Sequence, residues 1–209
     1  MTITHGYCTL DQLKSEMRIA THDSADDTRL ELSIAAASRQ IDAHTGRRFW
    51  QDSTVQVREF YADDPLNCFT DDISTTTGLI VQADEAEDGT YSETLTLGTN
   101  FILLPVNAAD NVPVHPFTQI RIVNTDNYSG FPYRVLRPGV RVTAKFGWPA
   151  IPDDITKAAL IQASQLFKAS DAVFGAAQFG EAGVAMRVQA RLNPMAEALL
   201  ETYCHPRVA

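Results

Sequence analysis

Basic residues are scarce in this chain: 17 Lys and Arg stand against 26 Asp and Glu, a formal charge of −9 over 209 residues. Duplex binding rests on neutralising phosphates, so this balance argues against a general DNA-binding role. Cysteine is scarcer still. Cys8, Cys68 and Cys204 are odd in number and widely spread, which suits free thiols in a reducing compartment better than a disulfide scaffold. Long apolar runs are also missing. No stretch approaches the ~20 consecutive apolar residues of a membrane span, and Met1–Gly6 has no apolar run, so no signal peptide is expected. Hydrophobic residues make up 44%, ordinary for a globular protein and too many for a disordered one. The length suits one domain or two small packed ones, with a core that needs no disulfide or metal.

Chemistry-bearing motifs are equally sparse. There is no GxSxG, HExxH or P-loop, and no GxGxxG follows a strand. His5 with Cys8, and Cys204 with His205, lack the paired spacing of a zinc site. Asp84–Gly89 fails as a calcium loop: counted from Asp84, position three is Ala86 and position twelve is Leu95. A solvated acidic turn is the simpler reading. No catalytic residue, metal or cofactor is assigned. Arg47-Arg48 and Arg134/Arg137/Arg141 are the basic groupings; arginines beside aromatics could stack on bases or grip phosphates, but in so acidic a chain helix-end cations with stems lying over aromatics are the favoured reading.

Periodicity organises the rest. Thr9-Leu-Asp-Gln12 is a capping-box pattern before a short helix carrying Leu10, Leu13 and Met17. A longer helix is predicted from Asp23 or Ser24, with Leu30, Ile34, Ala37 and Ile41 as its core stripe. Leu32, Ala36 and Ala43 form a second face, suited either to another helix of the same chain or to a neighbouring subunit. Gly46 sits where a left-handed C′ glycine belongs. Arg47 and Arg48 meet the negative end of the helix dipole, and Phe49 and Trp50 fold back as an aromatic plug. From about Val55 the period becomes two, with β-prone runs at 79–81, 94–97, 101–104 and 119–123, and a hairpin turn at Leu97–Phe101. The clearest strand is Val140–Trp148, with Val140, Val142, Ala144, Phe146 and Trp148 on one face. Asp153 or Asp154 caps a third helix, to about Asp171, with Ile155, Ala159, Ala163 and Leu166 inward. Gly175–Arg191 reads as a long mobile loop. Asn193-Pro194 starts the last helix, roughly Pro194–Tyr203. The predicted class is α+β: a helical bundle built from 1–50 and 150–209, with an inserted antiparallel β-rich region at 51–149.

This order of segments resembles the head-to-tail connector (adaptor) proteins of long-tailed bacteriophages. The resemblance runs through Tyr7–Lys14, through Ile34–Phe49 with its Thr-Gly-Arg-x-Phe helix stop, and through Thr96–Pro105. It continues in Val142–Trp148 with Ile151–Ile155, and in Asn193–Leu200 with Tyr203. It implies a structural, non-catalytic virion protein whose helical part forms a dodecameric ring beneath the portal. Such a ring extends the DNA channel without sequence-specific binding and offers a docking face to a stopper or tail-terminator protein. It implies a place in the virion neck, after assembly in the host bacterial cytoplasm, and no membrane. Under it, Leu32, Ala36, Ala43, Arg47 and Arg48 become candidate subunit-interface residues. Gly175, Gly180, Gly183, Arg187, Arg191, Tyr203 and Arg207 become candidate portal or tail contacts, and the acidic balance suits a wall past which DNA slides. A tail-completion or other minor virion protein, an enzyme with a dispersed active site and an acidic host-binding module stand as alternatives.

Overall fold

A computed structural model describes residues 3–123, 128–133, 136–171, 176–179, 184–187 and 191–204. The chain divides into two units, Met1–Phe49 with Ile151–Ala209, and Trp50–Ala150. The class is α+β, as the periodicity predicts.

In the first unit the capping box is formed: Thr9 Oγ1 accepts from the Gln12 amide, whose side chain accepts from the Thr9 amide. Helix α1 (Leu10–Met17) follows. Helix α2 (Asp27–Thr45) begins three to four residues later than predicted. The delay has a local cause. The Asp23 carboxylate accepts from the Ala25 amide in a turn, and the buried Lys14 ammonium takes the carbonyls of Thr21 and Asp23 and pairs with Asp27. That basic side chain, charged and almost fully enclosed, ties down the α1–α2 connection. Leu30, Ile34, Ala37 and Ile41 all face the core. Helix α3 (Asp153–Asp171) buries Ile155, Ala158, Ala159, Gln162, Ala163 and Phe167, so Phe167 fills the inward place predicted for the half-buried Leu166. Helix α4 (Pro194–Leu200) starts at Asn193, whose side chain accepts from the Met195 amide. A single 3-10 turn, Glu201–Tyr203, extends it. Buried Gln162 fixes the α3–α4 junction by donating to Gln40 (2.7 Å) and accepting from the Asn193 amide (2.8 Å).

The segment read as a loop at 175–191 contains two strands, β7 (Ala176–Phe179) and β8 (Val184–Arg187), paired antiparallel. Three glycines, small residues and few large apolar ones suggested a loop.

The second unit is an antiparallel six-stranded sheet. Its strands are β1 (Gln56–Phe60), β2 (Asn67–Ala83), β3 (Glu93–Leu95), β4 (Phe101–Leu104), β5 (Phe117–Ile122) and β6 (Val140–Phe146). The order is β1-β6-β2-β5-β4, with β3 also on β2. Strand β6 alternates as its sequence predicts, and Trp148 beyond it is buried. Much of β2 escaped the periodicity reading, because Asp71-Asp72 and Ser74–Gly78 look like loop chemistry. Two irregularities in its register with β6 accommodate them. The turn at Leu97–Phe101 is present, closed by Asn100 N–H to the Thr96 carbonyl at 2.8 Å. It is not a hairpin, because β3 pairs with β2 and β4 with β5.

Candidate functional site

The helix stop at Thr45–Phe49 organises the first unit. Gly46 has φ +68 and its amide donates to the Asp42 carbonyl, a conformation that glycine adopts without a Cβ penalty. Thr45 Oγ1 donates to the Ile41 carbonyl and accepts from the Arg47 amide. Phe49 is fully buried and its amide donates to the Tyr7 hydroxyl, which in turn donates to the Asp42 carboxylate. Its ring lies edge-on between Tyr7 and Tyr203, each with centroids 5.7 Å away. One side chain therefore joins the N-terminal segment, the end of α2 and the C-terminal turn. Trp50, read as part of the same plug, belongs to the second unit.

Burial raises the Asp42 carboxyl above its usual range, against the pull of Tyr7, Arg39 and Arg48. Burial also raises the Tyr7 phenol, reinforced by its bond to Asp42. This hydrogen-bonded pair ties the N-terminal segment to the end of α2.

The proposed interface residues lie along and just beyond α2. Leu32 is 51% exposed, and Ala36 and Ala43 are exposed as well. Intramolecular helix packing, one of the two readings of this stripe, is therefore not what the fold does with it: α2 turns its other side to α1 and α3. Arg47 and Arg48 are half-buried at the helix end. Among the candidate portal or tail contacts, Arg191 is exposed and its carbonyl accepts from Gln165. Tyr203 is 6% exposed and donates to Asp154 at 3.0 Å. It is a core residue of its own unit and not part of a free tail, because its ring completes the stack on Phe49. Arg187 lies in β8 opposite Ala176. Gly175, Gly180, Gly183 and Arg207 lie outside the described residues.

In the second unit the ends of the sheet region are clasped together. The Asp52 amide donates to the Phe146 carbonyl (2.9 Å), and the Phe146 amide donates back to the Asp52 carboxylate (3.2 Å). The Gly147 amide donates to the Asp72 carbonyl (2.7 Å), and Trp148 Nε1 donates to the Asp72 carboxylate (3.1 Å). Arg58 pairs with Asp71 and lies over the Phe146 ring, 4.2 Å from its centroid. Sequence reasoning missed all three carboxylates, Asp52, Asp71 and Asp72. The available signal was Gly147 between two large aromatics, a sign of close backbone approach. Asp84, 2% exposed, closes the acidic turn by accepting from the amides of Asp88 and Gly89.

Among the described residues no group of three His, Cys, Asp or Glu side chains could hold a metal ion, and no helix is long and apolar enough to cross a membrane.

Solved structures match the chain over its whole length, three of them as follows. The neck of an empty gene transfer agent (GTA) particle computed with C6 symmetry contains a chain 16% identical, with a TM-score of 0.54. This chain shares the fold of GTA neck chains. The neck of a native GTA particle computed with C12 symmetry gives 15% identity and a TM-score of 0.51, and the virion of a native GTA particle gives 15% and 0.52. Each match covers 100% of this chain and 94–95% of the other. At such identity the likeness is one of fold. Comparison with protein-family models and with curated proteins found no match.

Proposed function

We propose that this chain is a structural subunit of the neck of a tailed-phage-like particle, a head-to-tail connector that forms a ring beneath the portal. The observation that carries the reading is the full-length likeness to GTA neck chains, spanning both the helical and the sheet unit. A closed ring needs a heterologous contact, in which one patch of a subunit meets a different patch of the next. The exposed Leu32, Ala36 and Ala43 stripe, with Arg47 and Arg48 at its end, is the proposed half of that contact on the helical unit. The C12 symmetry of one GTA neck supports a ring of twelve copies here.

The proposed partners are the portal protein on one side, a stopper or tail-terminator protein on the other, and packaged DNA passing through the lumen. The acidic balance is concentrated in the sheet unit, with six Lys or Arg against 13 Asp or Glu in Trp50–Ala150. Such a surface repels DNA and favours passage over sticking. Portal or tail contacts are proposed for the 175–191 segment, including Gly175, Gly180, Gly183, Arg187 and Arg191, and for Arg207.

The test is electron microscopy of a lysate from a phage lacking this gene. DNA-filled or leaking heads beside separate, complete tails are expected. Normal infectious particles would overturn the proposal.

A further inference from the structure

Helix α4 leaves an apolar face uncovered. Its core side is Ala196 and Leu200. On the other side Met195 is 70% exposed, Ala198 is exposed, and Leu192, just before the helix, and Leu199 are half-buried. A helix that is apolar on both sides is expected where both sides are covered. Helices α2 and α4 both pack on α3. Within the helical unit, the α2 stripe of Leu32, Ala36 and Ala43 and the α4 face are therefore two separate patches, as a heterologous contact between copies requires.

The two patches match in shape and in charge. Ala36, Arg39, Gln40 and Ala43 stand at i, i+3, i+4 and i+7 of α2, the four corners of a hole for one side chain of a facing helix. Two of the corners are alanines, so the hole is roomy, and Met195 is an unbranched, adaptable knob. Around the α2 stripe, Arg29–Arg48 carries four arginines against Glu31 and Asp42. Arg29 and Arg39 pair with Asp26 and Asp42, yet their side chains stay 44% and 50% exposed. A guanidinium has five N–H donors, so one that holds a carboxylate can take a second. Around the α4 face, Leu192–Tyr203 carries Glu197 and Glu201 and no basic residue. Both glutamates are exposed, and neither forms an ion pair among the described residues. We infer that the α4 face of one copy seats on the α2 stripe of the next, with Met195 in the Ala36–Ala43 hole and Glu197 and Glu201 beside the arginines. The inference rests on the ring reading above and supplies the second half of its contact. In a closed ring every copy uses each patch once, so neither apolar face is left in solvent.

The test uses the full chain, supplied from a plasmid to the phage lacking this gene. The chain carries A36C and M195C together with C204S, which removes the partly exposed native thiol. Purified particles are treated with bismaleimidoethane and the chain is followed on denaturing gels. A ladder of covalent multiples of the chain is expected with the double-cysteine chain, and none with A36C or M195C alone. Particles that contain the double-cysteine chain but give no ladder would overturn the contact and leave the neck reading standing. Cross-linked pairs from A36C alone would overturn it too, because they report like patches meeting. Absence of the natural chain from purified particles would overturn the neck reading, and this contact with it. A second variant does not depend on thiols. E197R/E201R changes exposed positions only, so its thermal midpoint should match that of the natural chain. Its infectious titre should fall roughly tenfold or more, because a like-charge contact is then repeated at every subunit boundary. An unchanged titre would overturn the pairing of these faces.

Discussion

Replacing Gly147 with alanine is expected to break the clasp of the sheet unit. Gly147 has φ +101, and a Cβ built there would lie 1.9 Å from the Trp50 carbonyl oxygen. Holding a residue with a side chain on the left-handed side of the map costs about 1–2 kcal/mol. The overlap adds to this, since no real contact is so short and the carbonyl oxygen it meets is backbone, which cannot swing away. Relief requires Trp50 to move, and Trp50 leads directly into Asp52, whose two bonds to Phe146 close the clasp. Each hydrogen bond lost there contributes about 1 kcal/mol, more if a buried group is left unpaired. The total is about 3–5 kcal/mol, a large share of the stability of a typical domain. Both tryptophans of the chain, Trp50 and Trp148, belong to this unit, so the fluorescence midpoint in guanidinium reports on it. Far-UV circular dichroism at 222 nm follows the helical unit in parallel. A fluorescence midpoint shifted by less than about 0.5 kcal/mol equivalent, with an unchanged emission spectrum, would refute the reasoning.

Further expectations concern the helical unit and the thiols. Ala37→Glu places a charge in a fully buried site of α2 and should cost several kcal/mol or prevent folding. Ala36→Glu, one residue away on the exposed face, should leave the thermal midpoint within about 0.5 kcal/mol equivalent, while abolishing ring assembly if the proposed contact is right. Asp42 is raised in the fold, so the native state binds its proton more tightly than the unfolded state, and stability falls as pH rises through the window above 3.8. The stability of Asp42→Asn relative to the natural chain should therefore be higher at pH 7 than at pH 4 in denaturant titrations, and a pH-independent difference would count against it. Burial pushes the Cys8 and Cys68 thiols up to about 12. Cys204 alone is partly exposed, so Ellman's reagent should modify one thiol rapidly in the native chain and three in guanidinium.

What was legible in advance was local. The Thr9 capping box, the Leu30–Ile41 stripe, the left-handed Gly46, the alternation of β6 and the Asn193-Pro194 start each depend on residues within about one turn or one strand, and each is formed. The α+β class follows from them. What was missed depended on distant partners. Asp71 and Asp72 look like turn residues until Arg58 and Trp148 arrive from β1 and the end of β6. Lys14 looks like a surface cation until the 21–27 connection wraps it.

The amino-acid sequence by itself determined where the four helices and the clearest strand, β6, run and which of their faces are apolar, because propensity, capping and periodicity act over a few residues. Only the tertiary structure decided the use of those faces. It left Leu32, Ala36 and Ala43 in solvent and drew Tyr203 into the core, because burial is set by which surfaces a chain brings together, and that choice is made over tens to more than a hundred residues. The Phe49 stack shows the difference: residues 7, 49 and 203 carry no signal of one another in the sequence, yet one ring touches both others.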